Sequence, residues 1–245
     1  MYKQSNQSIM MEDPDNPPHQ GAFPVWSRVF TKPNQQTFVE ITAHPDATAK
    51  NAYIWVFAAG TLSGLINSFT RLALGMTLLR QTMPEIDQMP GFSMGFGIGG
   101  ILGAICAAPL AGILSVIGFA ISVALIHWVA RFLGGQANFD RIAYAFGAIT
   151  TPIMVISAFL VPVSSLIPYA SFCTLPALLL LGLYVVFLQV TAVKSVHGFG
   201  WLEAAIAVFL PVILLIFLCA FAVMGIMNAL GSSVNDILQQ LQQGL

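Results

Sequence analysis

The sequence predicts an all-α, multi-pass membrane protein with five transmembrane helices, a cytoplasmic N-terminus and short amphipathic helices ahead of the first span. Three observations lead there. Only 8% of the 245 residues are Asp, Glu, Lys or Arg, whereas a soluble domain carries ~25%. From Ala52 to about Gly231 the chain is built of apolar segments long enough to cross a bilayer. The few cations are also shared unequally among the gaps between those segments.

Residues 1–22 combine Gln, Asn, Ser and Pro with the acidic stretch Glu12 to Asp15. They cannot bury enough apolar surface to fold and are expected to form a disordered tail. No apolar core precedes a small-residue cleavage site, so no cleavable signal is expected and the first span is the expected insertion signal. The segment 23–50 is different. Trp26, Val29 and Phe30 recur at helical spacing beside Arg28 and Lys32, a pattern suited to a membrane interface. After Pro33, Phe38 and Ile41 form a second apolar pair, with Thr37 and Glu40 at capping-box spacing. These residues fit either two helices packed beneath the membrane bundle or a surface for docking a partner. Asp46 is placed to cap the first membrane helix, where its charge suits the helix dipole.

The membrane domain is expected over 51–231. A spanning helix needs ~20 apolar residues to cover ~30 Å of hydrocarbon. Blocks at 52–74, 141–166, 172–193 and 201–227 meet that length directly. Between the first two lies a longer block, Gly95 to Leu133, with Pro109 inside it and no polar turn at its centre. A turn in hydrocarbon would strand backbone hydrogen-bonding groups. One span at about 108–132 is therefore expected, with 95–107 as a tilted, interfacial or protein-buried extension. Five spans from a cytoplasmic N-terminus put Lys3, Arg28, Lys32, Lys50, Arg131, Arg141 and Lys194 inside, and only Arg71 and Arg80 outside. That distribution follows the positive-inside rule, and a six-span arrangement would break it. Residues 232–245, without Lys or Arg, make a polar C-terminal tail on the outer face.

Within the spans, Gly95, Gly99, Gly103, Ala107, Ala111 and Ser115 repeat every four residues, and Gly60 and Gly64 form a shorter ridge in the first span. Small residues let helices approach closely in lipid, so these positions are expected to pack against a helix of this chain or of a partner. The polar intramembrane candidates are Asn67, Arg71, His127 and Gln189. Arg71, Arg131, Arg141 and Glu203 lie near predicted span ends, where snorkelling is cheap. No acidic residue or histidine stands at mid-membrane depth, as a pump's proton relay would need.

Catalytic and cofactor-binding patterns are missing from the sequence. His19, His44, His127 and His197 are far apart, and Cys106, Cys173 and Cys219 show no close spacing, so no metal, cofactor or disulfide is expected. The glycines from Gly95 to Gly103 lack the strand before and the acid after that a dinucleotide fold requires. A net charge of -1 gives no case for nucleic acid.

A family resemblance rests on ordered landmarks. They are Trp26-Ser27-Arg28-Val29-Phe30-Thr31-Lys32-Pro33, the stretch Phe38 to Ile41, and Ala43-His44-Pro45-Asp46. Further on come Leu133-Gly134-Gly135 with Phe139, Arg141-Ile142-Ala143-Tyr144-Ala145-Phe146-Gly147 with Pro152, then Tyr184 to Lys194 followed by His197-Gly198. From residue 26 to about 227 the chain resembles a prokaryotic member of the Yip-one domain family, five-span proteins whose eukaryotic relatives bind Rab-type GTPases. The resemblance implies a five-helix domain in the cell membrane and a role in membrane organisation or complex assembly rather than catalysis. The Asp-Leu-Tyr-Gly-Pro motif of the eukaryotic members is absent, so GTPase binding does not carry over. The expected function is a non-enzymatic scaffold or accessory subunit, with membrane lipids and other integral membrane proteins or further copies of itself as partners. The alternative is a lipid or small-solute transporter, with Asn67, Arg71 and Gln189 lining its path.

Overall fold

A computed structural model describes residues 21–82, 92–166 and 170–243, with side-chain surroundings for 21–77, 82, 98–163, 172 and 174–228. The expected tail lies almost wholly outside them. The described chain is all-α. Two short helices, α1 (Ala22–Thr31) and α2 (Gln35–Ala43), precede five long ones: α3 (Ala49–Thr82), α4 (Phe92–Phe132), α5 (Phe139–Leu166), α6 (Ala170–His197) and α7 (Trp201–Gln243). Each of the five holds an apolar stretch of spanning length: Ala49–Thr77, Ile98–Phe132, Phe139–Val163, Thr174–His197 and Trp201–Asn228. This is the all-α, five-span architecture that the sequence predicts.

Residues 95–107 belong to α4, which runs unbroken through Pro109. A proline inside a membrane helix forfeits one backbone bond, but turning the chain in hydrocarbon would forfeit several. At 1.5 Å per residue α4 and α7 are each over ~60 Å long, about twice the hydrocarbon thickness. The residues of the expected polar tail up to Gln243 continue α7 as helix. All five long helices have one terminus beside α1 and α2, an end we call the base.

At the centre of the bundle, α3 packs mainly on α4 and α5. A Cβ on Gly60 would come within 2.6 Å of Ser115 Oγ and 3.2 Å of Gly112 Cα, and one on Gly64 within 2.6 Å of Ala111 Cβ. A Cβ on Gly112 would strike Thr61 and Phe57, and one on Gly147 of α5 would lie 3.0 Å from Ala52 Cα. The backbones meet this closely because one partner at each crossing is glycine or alanine.

The predicted ridge divides between two faces. Gly99 and Gly103 have nothing within 4 Å of where a Cβ would stand, and Ala107 is exposed. Instead Gly100 meets Leu72, Ala104 and Ala108 are buried, and only Ala111 and Ser115 of the predicted line face α3. A strict four-residue spacing advances about 400° per step on a helix of 3.6 residues per turn, so it drifts off any fixed contact line by ~40° each time. Gly95 lies in α4, outside the positions with described surroundings.

One predicted cap is corrected, and at a second helix start two further acceptors appear. Asn34, not Thr37, caps α2: its Oδ1 accepts the Thr37 N–H at 2.7 Å, and Gln36 Nε2 donates to Glu40 at 2.9 Å within the helix. At the start of α3 the Ala49 N–H donates to Asp140 Oδ1 of α5 at 3.1 Å, and the Asn51 N–H to Thr48 Oγ1 at 3.4 Å. Asp46, just before them, donates its own N–H to His44 Nδ1 at 3.2 Å and holds its carboxylate 3.5 Å from the same ring. The helix terminus draws its anionic cap from a neighbouring helix.

The glycine contacts yield a paired prediction. Gly64→Val overpacks the α3–α4 seam by ~1–3 kcal/mol and should lower the apparent Tm in detergent by roughly 2–12 °C. Gly103→Val meets open space and should change it far less. Thermal unfolding of both purified variants followed by intrinsic fluorescence checks the difference, and equal shifts would contradict this packing.

Candidate functional site

The strongest concentration of polar groups inside the bundle begins on α3. Ser63, Asn67 and Arg71 follow one another at four-residue spacing, so they lie along one side of the helix. Asn67 Nδ2 donates to the Ser63 carbonyl at 2.8 Å, and Ser63 Oγ donates to the Met154 carbonyl of α5 at 3.2 Å. These bonds orient the stripe and leave Asn67 Oδ1 and the Arg71 guanidinium with no bond to another described residue.

Two cavities adjoin this stripe, and a third adjoins those two. The first, about 460 Å³, is lined by Gly60, Ser63, Asn67, Ser68, Arg71 and Ser115 between α3 and α4. A second, about 160 Å³, lies on the α5 side of the same stripe, against Met154, Ser157 and Ala158, and shares Ser63 and Asn67 with the first. The third, about 380 Å³, extends towards the base among α4, α5, α6 and α7. Ser115, Ser122, Phe146, Thr150, Met154 and Gln189 contribute to its wall. Ser115 is common to the first and third, and Met154 to the second and third. The cleft exists because α3 packs extensively on both α4 and α5, while those two touch each other far less.

Asn67, Arg71 and Gln189 therefore line adjoining cavities. His127 does not join them. It lies near the base, with ring centroids 5.7 Å from His197 and 5.6 Å from Phe139. Two glycine-capped helix ends bring this cluster together. Gly134, at φ +93, and Gly135 close α4, with the Gly135 N–H donating to the Ala130 carbonyl at 2.9 Å; Gly198, at φ +72, closes α6. A side chain on Gly135 would strike His197. The stretches Leu133-Gly134-Gly135 and His197-Gly198, far apart in sequence, thus form one structure. Sequence reading missed Ser63 as a member of the stripe, although the four-residue spacing of Asn67 and Arg71 extends to it directly.

The expected docking residues face inward. Val29, Phe38 and Ile41 are fully buried, and Trp26 and Phe30 pack against the same core. Trp26 stands edge-on to Trp55 at 5.8 Å, Trp55 lies 5.0 Å from Tyr144, and Tyr184 Oη donates to the Phe30 carbonyl at 2.8 Å. Amphipathic α1 and α2 spend their apolar faces on α5 and α6 rather than presenting them to a partner.

Two surfaces of the bundle are free. On α4, Gly99, Gly103, Cys106 and Ala107 touch no other helix. On α7, Ala204, Ala207 and Val208 are buried near the base, but every residue from Val212 to Asn228 is exposed. A larger groove of about 500 Å³ between α3 and α4 is lined by Tyr53, Ile54, Phe57, Ile113, Val116 and Ile117, with Lys50 its one charged residue. It offers apolar contact and little polar convergence. Among the described residues no three metal-ligating side chains gather.

In comparison with known proteins, the family model of the Yip1 domain matches residues 27–224. No curated protein and no solved structure matches the chain.

If water enters the cleft from the end opposite the base, its side chains become chemically addressable. With Cys106, Cys173 and Cys219 replaced by Ala, Asn67→Cys should react with a hydrophilic thiol reagent roughly ten-fold or more faster than Leu62→Cys on the exposed apolar face of α3, because an apolar surrounding suppresses the reactive thiolate. Stopped-time labelling of intact proteoliposomes measures both rates.

Proposed function

Because the chain belongs to the Yip1 domain family, a match covering most of its length, we propose that this multi-pass membrane protein is a non-enzymatic scaffold or accessory subunit that assembles laterally with other membrane helices. One observation carries the reading: α7 leaves the bundle after its first turns, and seventeen consecutive residues, Val212 to Asn228, are exposed on every side. Lipid tails are as apolar as these side chains, so exposure alone is no penalty. What favours association is close packing at small residues. The exposed run includes Cys219, Ala220, Ala222 and Gly225, and the free face of α4 supplies Gly99, Gly103 and Ala107. In a prokaryotic cell membrane, with the base in the cytoplasm as the Lys and Arg distribution expects, both free faces lie towards the end of the bundle away from α1 and α2. The partner is then an integral membrane protein or a second copy. Binding to a GTPase has no motif to support it.

Among the described residues the free cysteines Cys106 on α4 and Cys219 on α7 are exposed and report on these faces without added labels. Thiol cross-linking in native membranes should give a discrete Cys219-dependent adduct that disappears in Cys219→Ala. Purification in mild detergent should recover the same partner, identified by mass spectrometry. Replacing Gly99 and Gly103 together by Leu should cut that recovery several-fold while leaving membrane insertion intact. Unchanged recovery and no adduct would reject the reading.

A further inference from the structure

We propose that the cleft above Ser63 binds the head of a glycerophospholipid from the leaflet opposite the base, with Arg71 on the phosphate and Asn67 and Ser68 at the ester level. This goes beyond lateral assembly and uses a different surface, the α3–α4–α5 cleft rather than the free faces of α4 and α7.

Depth supplies the first reason. At 1.5 Å per residue, Arg71 lies ~33 Å along α3 from Ala49, at the far edge of ~30 Å of hydrocarbon. Asn67 and Ser63 lie one and two turns deeper. The order along the cleft is therefore guanidinium, amide with hydroxyl, then glycine, alanine and methionine at Gly60, Ala111 and Met154. A glycerophospholipid presents the complementary order: an anionic phosphodiester at the surface, ester carbonyls a few ångströms below, and acyl chains beneath.

Charge supplies the second. Arg71 faces the cleft and makes no ion pair with any described residue. Guanidinium is the side chain best matched to phosphate oxygens, through paired charge-assisted hydrogen bonds. A snorkelling arginine needs only water. Here it caps a cavity of about 460 Å³, within the ~300–1,000 Å³ range of small-ligand sites. The other donors suit ester oxygens. Asn67 keeps one amide N–H beyond its bond to Ser63. The exposed sides of α4 and α5, with Leu110, Ile156 and Phe159, leave the acyl chains in the bilayer.

The test uses the full chain purified in mild detergent, stripped of lipid, and titrated under native mass spectrometry. Phosphatidylglycerol is the probe. Diacylglycerol, without phosphate, and glycerol 3-phosphate, without acyl chains, are the comparators. Phosphatidylglycerol should bind at least roughly ten-fold more tightly than either, and Arg71→Gln should lose that margin while Arg71→Lys keeps part of it, as removal of a charge-assisted bond implies. Ser63→Leu, which fills the cleft without touching the cation, should weaken binding as well and covers the case in which Arg71→Gln does not fold. Equal binding of diacylglycerol would show an ordinary apolar lipid contact and overturn the proposal. Equal binding of glycerol 3-phosphate would show a site for a soluble phosphate ester and overturn it too. So would wild-type affinity in Arg71→Gln, or in Ser63→Leu should Arg71→Gln not fold. None of these results bears on cross-linking at Cys219, so this proposal and lateral assembly can fail separately.

Discussion

Close backbone approach around α3 is the constraint on which the rest of this structure depends. In lipid, apolar surface gains little by choosing protein over an acyl chain, so the bundle must be held by dispersion contacts and by polar groups with no other partner. Both require short distances. Glycine or alanine stands at each crossing of α3, at Gly60, Gly64, Gly112 and Ala108 towards α4, and at Ala52 and Gly147 towards α5. Fixing two neighbours to one helix also decides what lies between them. Because α4 and α5 are each seated on α3, they diverge above it, and the polar side of α3 forms the floor of the opening. The cleft follows geometrically from the packing.

The base is held by different means. There the chain has water nearby and large aromatic side chains to use. Trp26, Trp55 and Tyr144 form a continuous contact from α1 through α3 to α5, and Tyr184 ties α6 to the backbone of α1. Asp140, at the start of α5, caps α3. Positive-φ glycines end α4 and α6, and Gly135 beside the first of them meets His197 beside the second. Each of these contacts joins elements distant in sequence, so the amphipathic N-terminal segment is an integral part of the fold.

What the sequence revealed follows from which properties are local. Segment length and apolarity are local, and the five spans were legible from Ala52 onward. The inability of hydrocarbon to solvate a turn pointed to one span through the block around Pro109, but it left open whether 95–107 is tilted, interfacial or buried in protein, and the structure shows helix there. Helix phase is local too, but the ridge was drawn at a strict four-residue spacing, which rotates away from any straight partner. The spacing that follows the contact line, Gly100, Ala104, Ala108, Ala111 and Ser115, includes a three-residue step. Partnership is not local. Nothing near Ala49 announces that Asp140, 91 residues away, will accept its N–H. The side that Phe38 and Ile41 would choose was equally hidden, since an amphipathic face is the same whether it meets α5 and α6 or another protein. Asn67 and Arg71 could be found as a pair because four residues make one turn, whereas their neighbours across the cleft, Met154 and Ser157, carry no mark in the sequence.

The division between buried and free small residues bears on the lateral assembly proposed for this chain. A glycine buried at a crossing is committed, because a side chain there collides with backbone or Cβ atoms that cannot move aside. A glycine facing lipid is held by no such contact, and its cost remains: it is a weak helix former, ~1 kcal/mol worse than Ala. Gly99, Gly103 and Gly225 all carry that cost in long helices while touching nothing in this chain. For Gly60, Gly64 and Gly112 the fold itself supplies the compensation. On the assembly proposed above, the other three find theirs outside the chain, since a closely approaching helix is the contact a glycine serves best in lipid. A lipid does not need a missing Cβ in order to pack, so these three positions favour protein over lipid as the neighbour of α4 and α7. The polar cleft, walled by residues already committed to the bundle, is the place the lipid proposal assigns.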